Sequence, residues 1–159
     1  MVKIVTLIDI NRAIVDNITL ALSDTGFKDV EFSSMSIEED IIRPSFYLDF
    51  DNNKTNRFNY SLKERNLNIR LFYFAKTRDN SKFELLKIQD ILENLFLKEI
   101  KITEDFYFPS VEVEFDVDKK NGYLTMNLEL YSLEEIDFIQ AITDNAEPME
   151  TLEIDTKIN

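Results

Sequence analysis

The feature that most constrains the fold is a strict alternation of apolar and polar residues on both sides of one Asn-Gly pair. Valine or phenylalanine alternates with glutamate or aspartate from Val111 to Val117, and leucine or methionine alternates with polar residues from Leu124 to Leu130. A period of two is that of a half-buried β-strand. Asn121-Gly122 suits a type I′ turn, in which both central residues need a positive φ. The sequence therefore predicts a hairpin with one apolar and one acidic or polar face.

Two other segments have the spacing of three and four residues that is typical of amphipathic helices. The first extends from Leu7 to Ala21, with Thr6 as its expected N-cap and Gly26 placed for a left-handed C-terminal cap. The second extends from Leu85 to Phe96 and follows Ser81-x-x-Glu84, the pattern of a capping box.

Strands are expected between the two helices. Residues 29–32 predict a short strand, and Arg43-Pro44 marks the entry to another, which alternates from Phe46 to Phe50. Asp51-Asn52-Asn53 indicates a turn. A long strand is then predicted from Arg57 to Phe74.

The long strand contains an irregularity in its apolar pattern. Phe58, Tyr60 and Leu62 share one parity, whereas the apolar residues from Leu67 onward have the other. A shift of one residue would turn half of the strand's apolar side chains to solvent. We therefore predict a β-bulge between Lys63 and Asn66.

Together these elements predict an α+β fold, a mostly antiparallel sheet of about four strands with two helices packed on one face. We expect this domain to occupy residues 1–132 and an acidic C-terminal arm to occupy residues 133–159. The arm contains the apolar residues Pro148, Met149, Leu152 and Ile154. Such a segment is either a disordered tail or an arm that orders on a neighbouring subunit, and the apolar anchors favour the arm.

Composition excludes several kinds of chemistry. The chain has no cysteine and no histidine, which excludes disulfides, thiol nucleophiles, Ser-His pairs and the usual zinc ligands. No cofactor is expected. The first residues lack the features of a signal peptide, and no apolar run reaches the length of about 20 residues that spans a membrane, so we expect a soluble protein.

The net charge of −13 opposes a role in gripping nucleic acid. Phe72-Tyr73-Phe74 could stack on bases, but basic residues are not interleaved with these aromatics, so packing in the core is the favoured interpretation.

Acidic residues are the remaining candidates for catalysis. Glu112, Glu114, Asp116 and Asp118 line one strand face and could bind Mg²⁺ or act as acid and base in a hydrolase, and Asp49 and Asp51 could likewise join a metal site. No metal-binding or nucleotide-binding motif accompanies them, and antiparallel sheets commonly leave one face in water. A solvated sheet face is therefore favoured, and a Mg²⁺-dependent hydrolase is the less favoured alternative.

The order and spacing of several segments resemble a known family. These segments are the first helix, the strand entry RPSFYL at residues 43–48, the stretch NIRLFYF at residues 68–74, the helix that ends at Phe96, the hairpin NGYL at residues 121–124 and EPMETL at residues 147–152. Together they resemble the tail terminator proteins of tailed bacteriophages. The similarity is greatest to the group found in contractile-tailed phages and defective prophages of Gram-positive bacteria.

The resemblance implies a structural protein without catalytic residues. It implies a hexameric ring that caps the tail tube, stops its polymerisation and offers a surface to the head connector or collar. The expected partners are further copies of the chain, the tail tube protein, the tail sheath protein and the connector. The expected location is the head-proximal end of the virion tail, after assembly in the cytoplasm of the host. Another head–tail joining protein or a tail-assembly chaperone is the main alternative.

Two sets of residues acquire expected roles in such a ring. Asp49, Asp51, Glu112 and Glu114 are expected to face the channel, where an acidic wall would let DNA slide by repulsion. Pro148, Met149, Leu152 and Ile154 are expected to contact a neighbouring subunit or a partner.

Overall fold

The computed structural model describes residues 4–33 and 41–137. The elements, in chain order, are α1 (Leu7–Leu22), β1 (Glu31–Phe32), β2 (Ser45–Arg57), β3 (Leu62–Phe74), α2 (Lys82–Phe96), β4 (Ile100–Thr103), β5 (Phe106–Phe108), β6 (Ser110–Asp118) and β7 (Tyr123–Glu135). The larger sheet has five strands in the order β1-β2-β3-β7-β6, and β4 and β5 form a separate two-stranded sheet.

The predicted α+β class is confirmed, and the larger sheet is mostly antiparallel. Among the described strands of this sheet, only β1 and β2 pair in parallel. The sheet has five strands where about four were expected, because β1 adds a strand at one edge. The predicted domain boundary at residue 132 falls inside β7. The division into a domain and an arm stays a prediction, since residues 138–159 lie outside the described part of the chain.

The core forms where the inward rows of the strands meet the apolar stripes of the helices. Alternate residues of β3 and β7 are almost fully buried, as the period of a half-buried strand requires. The buried residues of both helices belong to the same cluster. Its main members are Ile10, Ile14, Ile18, Leu85, Ile88, Leu92, Phe96, Leu67, Ile69, Leu71, Tyr73, Leu124, Met126, Leu128 and Leu130.

The start of α1 is as predicted, whereas its end is not. The Asp9 amide donates to Thr6 Oγ1 at 3.1 Å and the Thr6 amide donates to Asp9 Oδ2 at 3.0 Å, which completes a capping box. The helix ends at Leu22, and Gly26 lies beyond it without a positive φ. The hydroxyls of Ser23 and Thr25 donate to the carbonyls of Leu20 and Leu22. These bonds satisfy carbonyls at the helix end, so the predicted glycine cap was wrong.

The predicted capping box at the start of α2 was also wrong. The Ser81 side chain makes no capping hydrogen bond. Glu84 turns away from the helix terminus, because its Oε1 accepts from the Tyr73 hydroxyl at 2.6 Å and from the Lys76 amide at 3.1 Å. Glu84 therefore bonds to Tyr73 of β3 and to Lys76 and does not complete a capping box with Ser81.

The hairpin of β2 and β3 differs from its prediction in two ways. Residues 51–53 do not form a turn, since β2 continues to Arg57 and the chain reverses at residues 58–61. The register of β2 against β3 shifts between Asp51 and Lys54, and Asn52 has a φ of 49°. The irregularity is therefore a bulge in β2, stabilised by the Asn68 amide, which donates to Asn53 Oδ1 at 3.1 Å.

The bulge that we predicted between Lys63 and Asn66 does not exist. The pairing of β3 with β7 is regular from Leu62 to Phe74. The inward row of β3 continues from Leu67 to Arg65, which is buried. The apparent change of parity arose because an arginine occupies an inward position.

The hairpin of β6 and β7 is confirmed, but its type I′ turn is not. Asp118 pairs with Tyr123, so the loop has four residues, and within it only Gly122 has a positive φ, of 67°. Asp118 Oδ1 accepts from the amides of Lys120 and Asn121 at 3.0 and 2.9 Å. This carboxylate organises the longer loop.

Candidate functional site

The first candidate site is a row of polar residues across four strands of the larger sheet. Asp49 of β2 is opposite Arg70 of β3, Arg70 is opposite Asn127 of β7, and Asn127 is opposite Glu114 of β6. Residues directly opposite each other on adjacent strands have their side chains on the same face. Asp49 and Glu114, which are 65 positions apart in the chain, therefore share one face of the sheet.

A second row lies next to the first. Asp51 is opposite Asn68, Asn68 is opposite Glu129, and Glu129 is opposite Glu112. Positions two residues apart on a strand point to the same side, so the two rows share a face. We call the set Asp49, Asp51, Glu112 and Glu114 the acidic face.

The acidic face surrounds a shallow depression of about 220 Å³. Asp51, Glu112 and Glu114 line this depression, and the lining residues do not include Asp49. Glu129 adds a further carboxylate that the sequence analysis did not select. Its alternation with Leu128 and Leu130 was the available signal, but the cross-strand position of Glu129 depends on the pairing of β7 with β6.

One cation lies in the middle of these carboxylates. Arg70 Nη2 is 3.1 Å from Asp51 Oδ2, and Arg70 Nε donates to Asn127 Oδ1 at 3.2 Å. Exposed ion pairs of this kind contribute roughly 0–1 kcal/mol to stability. Arg70 offsets only part of the negative charge, so the depression stays acidic.

Within residues 4–33 and 41–137, no group of three or more Asp, Glu, His or Cys side chains is arranged to bind a metal ion.

An aromatic strip adjoins the acidic face. The ring centroids of Tyr47 and Phe72 are 6.2 Å apart, those of Phe72 and Phe74 are 6.3 Å apart, and those of Phe74 and Tyr123 are 5.9 Å apart. Phe74 and Tyr73 are buried, as the favoured interpretation of this stretch predicted, whereas Phe72 is only partly buried. Three consecutive aromatics place bulk on both faces of β3.

Arg43 connects the entry of β2 to the loop between β6 and β7. Its Nη1 donates to the carbonyls of Ala75 and Gly122 at 3.1 and 3.0 Å, and its Nη2 donates to the carbonyl of Asn121 at 2.7 Å. Its guanidinium carbon lies 5.7 Å from the centroid of the Phe74 ring. Burial, and then the positive charge of Arg78, lower the pKa of Arg43. The sequence marked this arginine only as a strand entry.

The predicted contact residues of the arm, Pro148, Met149, Leu152 and Ile154, lie outside the described residues. Among the helices of the described ranges, none combines the length and the apolar character needed to cross a membrane.

Comparison with known protein families gives a match over most of the chain. A family model described as phage tail terminator protein matches residues 9–140. This span contains β1 through β7, all of α2 and most of α1, and therefore the complete acidic face. No curated protein matches the chain.

Proposed function

Because the chain belongs to the phage tail terminator family, we propose that it forms a hexameric ring that caps the tail tube and stops its polymerisation. The family is structural, acts in tail assembly with other tail components, and has its place in the virion tail. The family match over residues 9–140 is the observation that carries the proposal. We further propose that the particle belongs to the group of contractile-tailed phages and defective prophages.

A closed ring requires two different surfaces on each subunit, because each subunit contacts its two neighbours in a head-to-tail manner. The larger sheet offers two different edges. Strand β6 forms one edge. At the other edge, β1 pairs with β2 only at Ser45 and Phe46, so the described residues leave most of β2 open on that side. Open edges of a sheet are ready to pair with another chain.

The channel wall is the second part of the proposal. We propose that α1 and α2 cover one face of the larger sheet, since their buried residues share a cluster with the inward rows of β3 and β7. The acidic face then lines the channel on the other side of the sheet. An acidic wall repels DNA and lets it pass without sticking. The net charge of −13 supports this assignment.

The partners follow from the position of such a ring. One side of the ring meets the tail tube protein, the outer surface meets the end of the sheath, and the other side meets the head connector or collar. The chain after β7, which ends at Glu135, forms an arm in this proposal, and its anchors Pro148, Met149, Leu152 and Ile154 contact a neighbouring subunit. DNA is a passing cargo only, and assembly takes place in the host cytoplasm.

Removal of the protein from the producing particle tests termination. Electron microscopy should then show tails of irregular, excessive length without a cap. Tails of normal length that lack only head attachment would contradict termination and support a head–tail joining protein. A complete absence of tails would instead support an assembly chaperone.

Charge reversal tests the channel wall. The double substitution Asp49→Lys/Glu114→Lys should slow the ejection of DNA or make particles retain it. The matched control Asp24→Lys/Glu99→Lys makes the same change of charge at exposed positions away from the acidic face. Equal ejection rates in the two variants would contradict a channel-facing role.

A further inference from the structure

One edge of the larger sheet is open over most of its length. Strand β1 pairs with β2 only at Ser45 and Phe46, so no described residue pairs with the outer side of β2 beyond that point. The backbone N–H and C=O groups along such an edge are ready to pair with another strand. We call residues 50–57 of β2 the open edge.

Inward side chains of the open edge are less buried than those of the next strand. Phe50 is opposite Ile69 and Thr55 is opposite Arg65, so each pair lies on the inward face of the sheet. Ile69 and Arg65 are buried. Phe50 is only partly buried, and Thr55 is exposed. One further strand along the open edge would cover these inward positions.

The end of the chain has the residue pattern of such a strand. Positions 152, 154, 156 and 158 hold leucine, isoleucine, threonine and isoleucine, and a charged residue stands between each two of them. A period of two is typical of a half-buried strand. Pro148 comes shortly before, where its missing N–H does not interrupt a ladder. We call residues 152–158 the terminal segment.

An antiparallel arrangement on the open edge brings opposite charges of the two segments together. Asp51 and Lys54 lie on either side of the bulge and are opposite residues that are two positions apart on β3. A strand on the outer side with the same spacing meets them with alternate residues. Opposite charges directly across a strand pair stabilise the pairing. The resulting pairs are Phe50 with Ile158, Asp51 with Lys157, Lys54 with Asp155 and Thr55 with Ile154.

The other edge of the sheet does not fit the terminal segment. Strand β6 carries an acidic residue at every second position from Glu112 to Asp118. Two of the three charged residues of the terminal segment are also acidic, and like charges across a strand pair destabilise it. The open edge instead contains two basic residues and one acidic residue. Charge therefore favours β2 as the strand that the terminal segment contacts.

The chain between β7 and the terminal segment is long enough to reach another subunit. Strand β7 ends at Glu135, and the Ile136 amide donates to the Ser61 carbonyl at 2.9 Å. The chain thus leaves the sheet beside the turn between β2 and β3. The 14 residues from 138 to 151 can extend over roughly 46 Å. Exchange of an identical element between copies is a low-cost route to assembly.

We propose that the terminal segment of one copy adds an antiparallel strand to the open edge of β2 in the next copy. Its apolar side chains then cover the inward face of the open edge, and its charged side chains meet those of β2. The terminal segment and the open edge are different surfaces, as a head-to-tail contact that closes a ring requires. This inference rests on the proposed ring, from which it takes the contact of the arm with a neighbouring subunit.

Cross-linking tests the pairing directly, because the natural chain contains no cysteine. Thr55→Cys/Ile154→Cys places two thiols opposite each other in the proposed register. Purified, oxidised tails of this variant should give a ladder of covalent oligomers of the chain. The control Val113→Cys/Ile154→Cys moves the first thiol to a partly buried position of β6, at the other edge, and should give no ladder.

The other possible results of this experiment overturn the proposal. Monomers whose gel mobility changes on oxidation and returns on reduction would place the terminal segment on its own subunit. Ladders of equal yield in the two variants would show that the terminal segment does not select the open edge. Tails without any cross-link, or with cross-links to another tail protein, would show that it does not pair there.

Reversal of one charge tests the register. Lys54→Glu places like charges opposite each other and should lower the yield of the ladder roughly fivefold, because cross-strand charge pairs act in this range. Lys54→Glu/Asp155→Lys should restore the yield. The control Lys28→Glu makes the same change of charge at an exposed position outside the sheet and should leave the yield unchanged. A yield that is insensitive to Lys54→Glu, or that the second substitution does not restore, would overturn the proposed pairing.

Complementation separates this inference from the proposed function. A producer that lacks the protein receives either Leu152→Asp/Ile154→Asp or the control Phe83→Asp/Leu97→Asp, which changes exposed apolar residues of α2 and its end. We expect overlong tails with the first variant and normal tails with the second, at melting temperatures within a few degrees of each other. Normal tails with both variants would overturn the contact of the terminal segment and leave termination intact. Normal tails without any copy of the protein would overturn termination itself.

Discussion

Arg65 Nη1 lies 3.3 Å from Glu134 Oε2 on the inward face of the β3–β7 pair, and the two side chains are only 10% and 7% exposed. Lys63 Nζ is 3.8 Å from the same oxygen. Ser132 Oγ donates to the other carboxylate oxygen of Glu134 at 3.0 Å. Neither Arg65 Nη1 nor Glu134 Oε2 has a hydrogen-bond partner among the described residues. Beyond Leu67 and Leu130, where the apolar rows of β3 and β7 stop, this end of the sheet therefore contains a buried pair of opposite charges.

Replacement of the Glu134 carboxylate tests how much the stability of the fold depends on this buried pair. Glu134→Gln leaves Arg65 buried beside a neutral group, and breaking a buried pair in this way costs about 3–5 kcal/mol. We expect a loss of that order in the free energy of unfolding, measured by urea denaturation. The exposed neighbour Glu135→Gln is the control and should change it by less than about 0.5 kcal/mol. Equal effects of the two substitutions would contradict a structural role for the pair.

Gly122 is the glycine whose replacement the fold should not tolerate. Its φ is 67°, and a Cβ at this position would lie 2.9 Å from both the Cα and the carbonyl oxygen of Arg78. A left-handed conformation costs a non-glycine residue about 1–2 kcal/mol. Because the added Cβ would also collide with Arg78, we expect Gly122→Ala to destabilise the protein by more than this amount. Gly26→Ala is the matched control, because a Cβ added there would have no atom within 4 Å other than those of residue 26 and its two chain neighbours. Thermal unfolding should show a clear loss only at position 122, and similar melting temperatures would refute this.

The hydrogen bond between Tyr73 and Glu84 links the core to α2. The Tyr73 hydroxyl donates to Glu84 Oε1 at 2.6 Å, and burial followed by this bond raises the pKa of Tyr73. We expect Tyr73→Phe to lower the free energy of unfolding by about 1.5 kcal/mol, near the lower limit for bonds to charged groups, because Glu84 keeps its bond from the Lys76 amide. Denaturant unfolding of Tyr107→Phe, a more exposed tyrosine, provides the comparison. No difference between the two would show that the bond is energetically neutral.

Asp118 should make stability depend on pH in the acidic range. The side-chain and backbone hydrogen bonds from Asn121 lower the pKa of Asp118 from its ordinary value of 3.8. The folded state thus binds this proton less readily than the unfolded state, so the contribution is complete above the ordinary pKa and is lost as the pH falls below it. Asp118→Asn should therefore show a weaker fall in melting temperature below about pH 4 than the wild type. A fall in the melting temperature of Asp118→Asn as steep as that of the wild type would contradict this role of Asp118.

The elements with a strong local period could be predicted from the sequence. The helices α1 and α2 and the β6–β7 hairpin follow from apolar spacing alone, because their buried residues recur without interruption. The bulge at Asn52 could not be predicted, because Asp-Asn-Asn also suits a turn. The regular register of β3 could not be seen in the sequence, because a charged residue, Arg65, occupies an inward position. The buried ion pair with Glu134, a residue 69 positions away, offsets the cost of burying Arg65.

The candidate site was predicted in part. Alternation along each strand placed the acidic side chains on the polar side, but only strand pairing brings Asp49 and Glu114 into one row through Arg70 and Asn127. The turn at residues 58–61 escaped prediction because Phe58 and Tyr60 continue the alternation of a strand. Arg43 donates to three carbonyls of segments that are distant in the chain, so no local sequence pattern indicates these hydrogen bonds.

The central claim is that this chain ends the growth of a tail tube, and polymerisation in its presence tests that claim most directly. Purified tube protein from the same particle is allowed to polymerise with increasing amounts of the chain, and tube lengths are measured by electron microscopy. We expect the mean tube length to fall at amounts far below one chain per tube subunit, with a ring at one end of each shortened tube. A length distribution that is the same with and without the chain would contradict it.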